Sequence, residues 1–178
     1  LEKSNIVIAG FMASGKTTVG KLLEELTGKK LIDTDSMIEE KTGMGITEIF
    51  EKNGEEYFRC LERSTVADAA SQQNRIVAVG GGAVLDERNV EKLKTKGVIY
   101  LLEVAPGEVS RRAGTGKERP LLGKDEAEIE GLMRSRERAY LAAADVVLET
   151  TGLNPRQVAN KIAMDFEERA VEEGEGSR

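Results

Sequence analysis

The stretch Asn5–Gly10 (NIVIAG) runs directly into Gly10–Gly20 (GFMASGKTTVG), and this junction constrains the fold more tightly than any other part of the chain. A short apolar run ending in glycine has the character of a buried parallel strand. Gly10, four residues, then Gly15, Lys16 and Thr17 make a loop. After it, Val19, Leu22, Leu23 and Leu26 recur at helical spacing up to a stop signal at Gly28. A strand that leaves through a helix returns to its sheet by a right-handed crossover, so the next strand is parallel to it.

The alternation continues along the chain. Lys30–Asp33 (KLID), Arg75–Val79 (RIVAV), Val98–Val104 (VIYLLEV) and Asp145–Glu149 read as further strands. Between them come a short helix through Met37 and Ile38, and a longer one after Gly54 with Phe58, Leu61, Thr65 and Ala69 on one face. Asp86 caps a helix carrying Val90 and Leu93, and Pro106 opens another, where its missing N–H costs nothing. A helix through Leu132 and Tyr140 and a last one after Asn154–Pro155 complete the set. The expected fold is α/β in three layers, a five-stranded parallel sheet covered by helices on both faces. Gly114–Lys124 is polar, basic and glycine-rich, which marks a mobile lid at about 113–124. Residues 1–171 read as one domain, and 172–178 (EEGEGSR from Glu172 onward) as a disordered tail.

Ligands of such sheets sit at the carboxyl ends of the strands. Lys16, Asp33, Asp35 and Gly80–Gly82 all follow strands and so gather at one mouth. Composition narrows the chemistry. The chain holds 26 Lys and Arg against 32 Asp and Glu, a net charge of −6, which argues against a nucleic-acid surface. No apolar run approaches a membrane span. Cys60 is the single cysteine, so no intrachain disulfide forms and a cytoplasmic setting is favoured; its place beside an apolar face suggests packing. There is no histidine, so acid–base work falls to carboxylates or lysines.

The loop is built for phosphate. Backbone N–H groups of Ala13, Ser14, Gly15, Lys16, Thr17 and Thr18 would converge on one anion at the positive end of the following helix. Lys16 would reach the β- and γ-phosphates of ATP, and the Thr17 hydroxyl would help hold Mg²⁺. In Asp33–Asp35 (DTD), two carboxylates two residues apart point the same way in extended chain. Asp33 could hold the metal through water, and Asp35 could accept a proton from an attacking hydroxyl. Capping of the next helix by Asp35 or Ser36 is the plainer explanation of this word. Glu55 and Glu62 flank Arg59 at helical spacing, so a solvated ion-pair face accounts for it locally. Three glycines after a buried strand let backbone approach a ligand closely. Arg111, Arg112, Lys117 and Arg119 form a cationic cluster around the lid.

Taken together, GFMASGKTTVGKLL, DTDSMIEEKTGMGITEIFEKNGEEYFR, GGGAVL, ERPLL and the Arg136–Tyr140 pair of RSRERAY resemble the shikimate kinase family, from Asn5 to about Phe166. The resemblance implies a nucleoside-monophosphate-kinase-like P-loop fold with strand order 2-3-1-4-5. It also implies ATP-dependent phosphorylation of the 3-hydroxyl of shikimate, in the biosynthesis of aromatic amino acids, by a monomer. By that likeness Lys16, Asp35 and Arg119 are catalytic, and Thr17 and Asp33 serve the metal. Asp35, Arg59, Gly80, Gly81, Gly82 and Arg136 hold shikimate, with Arg59 and Arg136 on its carboxylate. Arg112 and Pro155 flank the adenine. The likeness overrides the local ion-pair explanation of Arg59. Two positions depart from the family pattern: Ala13 stands where glycine is usual, and Leu153 where many relatives carry arginine. A gluconate or nucleotide kinase on the same fold, or a silent nucleotide-binding relative, are the competing readings.

Overall fold

The computed structural model describes residues 3–113 and 126–175. Five strands, β1 (Asn5–Gly10), β2 (Lys30–Asp33), β3 (Arg75–Ala78), β4 (Gly97–Glu103) and β5 (Val146–Glu149), form one parallel sheet in the order β2-β3-β1-β4-β5. The helices are α1 (Lys16–Thr27), α2 (Thr34–Thr42), α3 (Ile46–Ser71), α4 (Glu87–Lys96), α5 (Pro106–Ala113), α6 (Glu126–Ala143) and α7 (Pro155–Glu175).

Side chains alternate across a strand, so each apolar run of the sheet serves two cores. Val7, Ala9, Val77, Ile99 and Leu101 face one side and pack with Val66 and Ala69 of α3, Leu93 of α4 and Ile129 and Ala143 of α6. Ile6, Ile8, Ile76, Val98, Tyr100 and Leu102 face the other and meet Val19 and Leu23 of α1 and Val158, Ile162 and Phe166 of α7. Each fully buried aliphatic side chain contributes roughly 1.5–3 kcal/mol. Ile8 opposite Tyr100, and Val7 opposite Val77, fix the register that gives this division. Tyr100 is fully buried on the α7 side, and its hydroxyl is satisfied by Asp165 at 2.7 Å.

Several boundaries differ from the sequence expectation. β3 ends at Ala78 rather than Val79, β4 is displaced one residue toward the N-terminus, and β5 starts at Val146 because the Asp145 carboxylate caps the Ile99 N–H at 2.9 Å. α3 begins at Ile46, before Gly54. Gly54 interrupts it with φ 82° and ψ 171°, a backbone region that essentially only glycine occupies. The earlier piece carries Ile49, which joins Ile38 of α2 and Phe58 in a small third core. A 3₁₀ turn, Ala83–Leu85, follows the glycine word. Residues 172–175, expected in a disordered tail, continue α7, since Glu172, Glu173 and Glu175 are good helix formers and extending an existing helix avoids the cost of nucleation. Cys60 is exposed rather than packed, because Phe58 and Leu61 take the inward positions of that turn. Asp86 caps α4 as expected, accepting from the Arg88 N–H at 3.0 Å. Among the described residues no helix is long and apolar enough to cross a membrane.

Candidate active site

All five strands run the same way, so β1, β2 and β3 deliver their following loops to one end of the sheet. The loop after β1 is wound for an anion. Gly15 (φ 93°) caps α1 in the left-handed region and Ala13 takes φ 60° there as well, so N–H groups turn inward around the helix start. The Ser14 side chain is buried, and its hydroxyl has no hydrogen-bond partner among the described residues. Lys16 Nζ folds back over the loop and donates to the carbonyls of Gly10 and Phe11, both at 2.9 Å. The cradle, the orphaned hydroxyl and a cation above them fit the phosphates of a nucleotide.

The DTD word is arranged differently from the extended picture. Asp33 ends β2, and its Oδ1 caps α2 by accepting from the N–H groups of Asp35 (3.1 Å) and Ser36 (3.3 Å). Neither Asp35 nor Ser36 is the cap. The other Asp33 oxygen accepts the Thr17 hydroxyl at 2.8 Å. A hydroxyl and a carboxylate oxygen held together, both hard ligands, fit Mg²⁺. Asp35 sits inside the first turn of α2, not on extended chain, because the Asp33 cap starts the helix at Thr34. Thr34, buried, accepts the Gly80 N–H at 3.1 Å and ties α2 to the glycine word.

Around Gly80–Gly82 the charged groups converge. A Cβ on Gly80 would lie 2.5 Å from Asp35 Oδ1 and 3.2 Å from Glu62 Oε1, and one on Gly82 would lie 2.5 Å from Arg59 Nη1. Only glycine fits at either position without displacing these groups. A Cβ on Gly81 would stand 3.4 Å from the Met12 N, so the glycine word also abuts the phosphate loop.

Arg59 does pair with Glu55 (3.1 Å) and Glu62 (2.7 Å), as its spacing suggested. The pair with Glu62 is not a solvated one: the Glu62 side chain is 2% exposed. Burial opposes the Arg59 charge, but Glu62 and Glu55 outweigh it and hold the guanidinium more basic than usual. Arg59 therefore stays charged. Burial pushes the Glu62 carboxyl up, Arg59 pulls it back, and the like charges of Asp35 and Asp86 add to the rise. Glu62 bears the greater desolvation.

On α6, Arg136 faces inward and lies 5.7 Å from the Phe11 ring centre, whereas Arg138 is exposed. Tyr140 donates its hydroxyl proton to the Gly81 carbonyl. Glu62 and this tyrosine contact escape sequence reasoning. Glu62 reads as a surface charge, and nothing local pairs Tyr140 with a glycine 59 residues away. Pro155 is the first residue of α7 and Leu153 packs against the α1–α7 core. Arg112 lies in α5, but its side chain, all of Arg119 and the expected lid beyond Ala113 up to Lys124 fall outside the described residues. A separate cavity of about 290 Å³ opens beside the cleft at the end of β4. It shares Phe11 and Tyr140 with the site but is lined by none of Lys16, Asp35, Arg59 or the three glycines.

The profile of the shikimate kinase family matches residues 12–167. A shikimate kinase from Moorella thermoacetica is 44% identical over 159 residues, covering 89% of this chain and 91% of that one. The solved structure of a shikimate kinase from Acinetobacter baumannii in complex with shikimate superimposes with a TM-score of 0.89 at 36% identity, covering 93% and 94% of the two chains. A gluconokinase from Sinorhizobium meliloti shares the fold alone, at 14% identity and a TM-score of 0.60 over 99% and 98% of the chains. A profile match across most of the chain, with closely similar relatives of the same length, places it: this chain belongs to the shikimate kinase family.

Proposed function

We propose that Lys16, Asp35, Arg59 and Arg136 carry out the reaction of this family, ATP-dependent phosphorylation of the 3-hydroxyl of shikimate, as an in-line transfer to a preorganised acceptor. The observation that supports these roles is the abutment of the glycine word on the phosphate loop. The Gly80–Gly82 turn carries Asp35, Glu62 and Arg59 on one side and touches the Met12 backbone on the other. An acceptor held against that turn would lie beside a nucleotide held in the loop.

In such a transfer the protein mainly positions the reactants and neutralises charge. Lys16 would leave the Gly10 and Phe11 carbonyls for the β- and γ-phosphate oxygens. Ala13 to Thr18 would bind phosphate through their backbone N–H groups. Thr17 and Asp33 would hold Mg²⁺, which when bound neutralises charge on the triphosphate. Asp35 would orient the attacking hydroxyl and accept its proton. Arg59 and Arg136 would clasp the shikimate carboxylate, since a guanidinium meets a carboxylate through two parallel hydrogen bonds. The roles of Arg119 over the phosphates, and of Arg112 and Pro155 beside the adenine, rest on the resemblance alone. A monomer in the cytoplasm is part of the same reading.

Two variants test it. Lys16→Met should abolish turnover in a protein with an unchanged circular dichroism spectrum. Asp35→Asn keeps the shape and should lower kcat by roughly 10²–10⁴-fold with little change in ATP binding. Near-normal turnover in either folded variant would contradict these assignments.

A further inference from the structure

The middle residue of the DTD word, Thr34, has a side chain that its two acidic neighbours do not explain. It is the first residue of α2 and is 0% exposed. Valine would fill the same space, so packing accounts for the branched shape but not for the hydroxyl. That hydroxyl accepts the Gly80 N–H at 3.1 Å, from a residue 46 positions further along the chain.

Strand geometry shows why the bond is needed. β2 and β3 pair as far as Asp33 and Ala78, where the Asp33 cap turns the chain into α2. Successive N–H groups along a strand point to opposite sides. Val79 sends its own to the Ile8 carbonyl of β1 at 3.1 Å, so that of Gly80 turns toward the side where β2 has ended. Gly80 is buried, and a backbone N–H left without an acceptor there is costly. The Thr34 side chain supplies the acceptor that the strand no longer does.

The same pair borders the groups assigned to the reaction. The Asp35 carboxylate, next in the chain after Thr34, lies against Gly80. A Cβ on that glycine would stand 2.5 Å from Asp35 Oδ1 and 3.2 Å from Glu62 Oε1. Two carboxylates against one Cα repel each other, which favours Asp35 moving away with the start of α2. A tether at the preceding residue opposes that movement. We propose that Thr34 is a positioning residue for phosphoryl transfer: by accepting the Gly80 N–H, its hydroxyl keeps the Asp35 carboxylate at the glycine turn, where the attacking hydroxyl is oriented. The inference rests on the reading that Asp35 orients that hydroxyl. It gives the middle of the DTD word a task in the same reaction as its outer residues.

The test reads kcat, KM for ATP and Tm on the full chain. Thr34→Val removes the acceptor and keeps the shape. It should lower kcat with shikimate about tenfold, part of the roughly hundredfold that a misplacement of about 1 Å costs, with KM for ATP within about twofold. Thr34→Ser keeps the oxygen and should hold kcat within about threefold of the parent. A lost buried hydrogen bond lowers Tm whatever its role, so Ile162→Val, buried against α7 on the other face of the sheet, is the comparison. It should lower Tm and leave kcat within about twofold. If Thr34→Val does not fold, Thr34→Ala, whose smaller side chain admits water to the Gly80 N–H, carries the same expectation. In the Asp35→Asn background, Thr34→Val should add no more than about a twofold change, because residues acting through one another are not additive. Lowered Tm with unchanged kcat in Thr34→Val would make the threonine structural only and overturn the proposal. So would a Thr34→Ser protein as slow as Thr34→Val, an equal loss of kcat in Ile162→Val, or fully multiplicative effects in the double variant. Near-normal turnover in Asp35→Asn would instead contradict the role of Asp35 itself, and the positioning role would fall with it.

Discussion

Ala13 keeps a methyl group at φ 60°, in the left-handed region that favours glycine. The left-handed region costs an alanine roughly 1–2 kcal/mol relative to glycine, partly offset because glycine gains more freedom in the unfolded chain. The cost belongs to the folded backbone of the loop, so it bears on stability. Ala13→Gly should therefore leave KM for ATP within about twofold and raise Tm by a few degrees at most, as about 1 kcal/mol does at this chain length. A lower Tm in a thermal melt would show that the methyl contact with the core outweighs the backbone cost. At this scale the sequence was informative wherever chemistry is local. Lys16, Thr17, Asp33 and Asp35 are legible because a loop and a strand end place them. Glu62 and the Tyr140 hydroxyl are not, because their roles arise only where α3, α6 and the glycine word pack together. Arg59 shows both cases. Its partners follow from helical spacing, while the burial that makes Glu62 costly arises where that side chain packs against Gly80.

Among the elements, α6 offers the sharpest contrast. Arg136 and Arg138 are two residues apart, about 200° around the helix, so a single face cannot present both. Arg136 points toward Phe11, and Arg138 is exposed. Arg138→Lys should leave both KM values and Tm nearly unchanged, since exposed charges contribute little. A rise in KM for shikimate on this substitution, measured beside Arg136→Lys, would mean that the helix is rotated from the orientation described. The type and chain position of the strands and of most helices were legible from periodicity and stop signals, whereas the sheet order β2-β3-β1-β4-β5 was implied only by the family resemblance. The exceptions have local causes. Gly54 reads as a helix boundary, yet α3 resumes across it, because the preceding turn buries Ile49 against Ile38 and Phe58. α2 starts earlier than the DTD word suggests, because the Asp33 side chain, rather than that of Asp35 or Ser36, satisfies the first N–H groups.

For the molecule as a whole, the parallel sheet brings the loops after β1, β2 and β3 to one end, and burying charge there has a consequence for stability. Glu62 is raised above the ordinary carboxylate range, so the folded chain binds its proton more readily than the unfolded chain does. Its contribution to stability is therefore most favourable at low pH and is lost as pH rises from that range through the raised value. Glu62→Gln removes the titration. The Tm of the variant relative to the parent should rise with pH across that window, and a flat or falling difference in calorimetry would contradict the assignment. The central claim is the match of this fold to its acceptor, and a coupled ADP-release assay with ATP and Mg²⁺ tests it most directly. Shikimate, gluconate and a nucleoside monophosphate are offered in turn to the purified chain. The account predicts turnover with shikimate and only background release with the other two. Turnover with gluconate or the nucleotide, and none with shikimate, would contradict it.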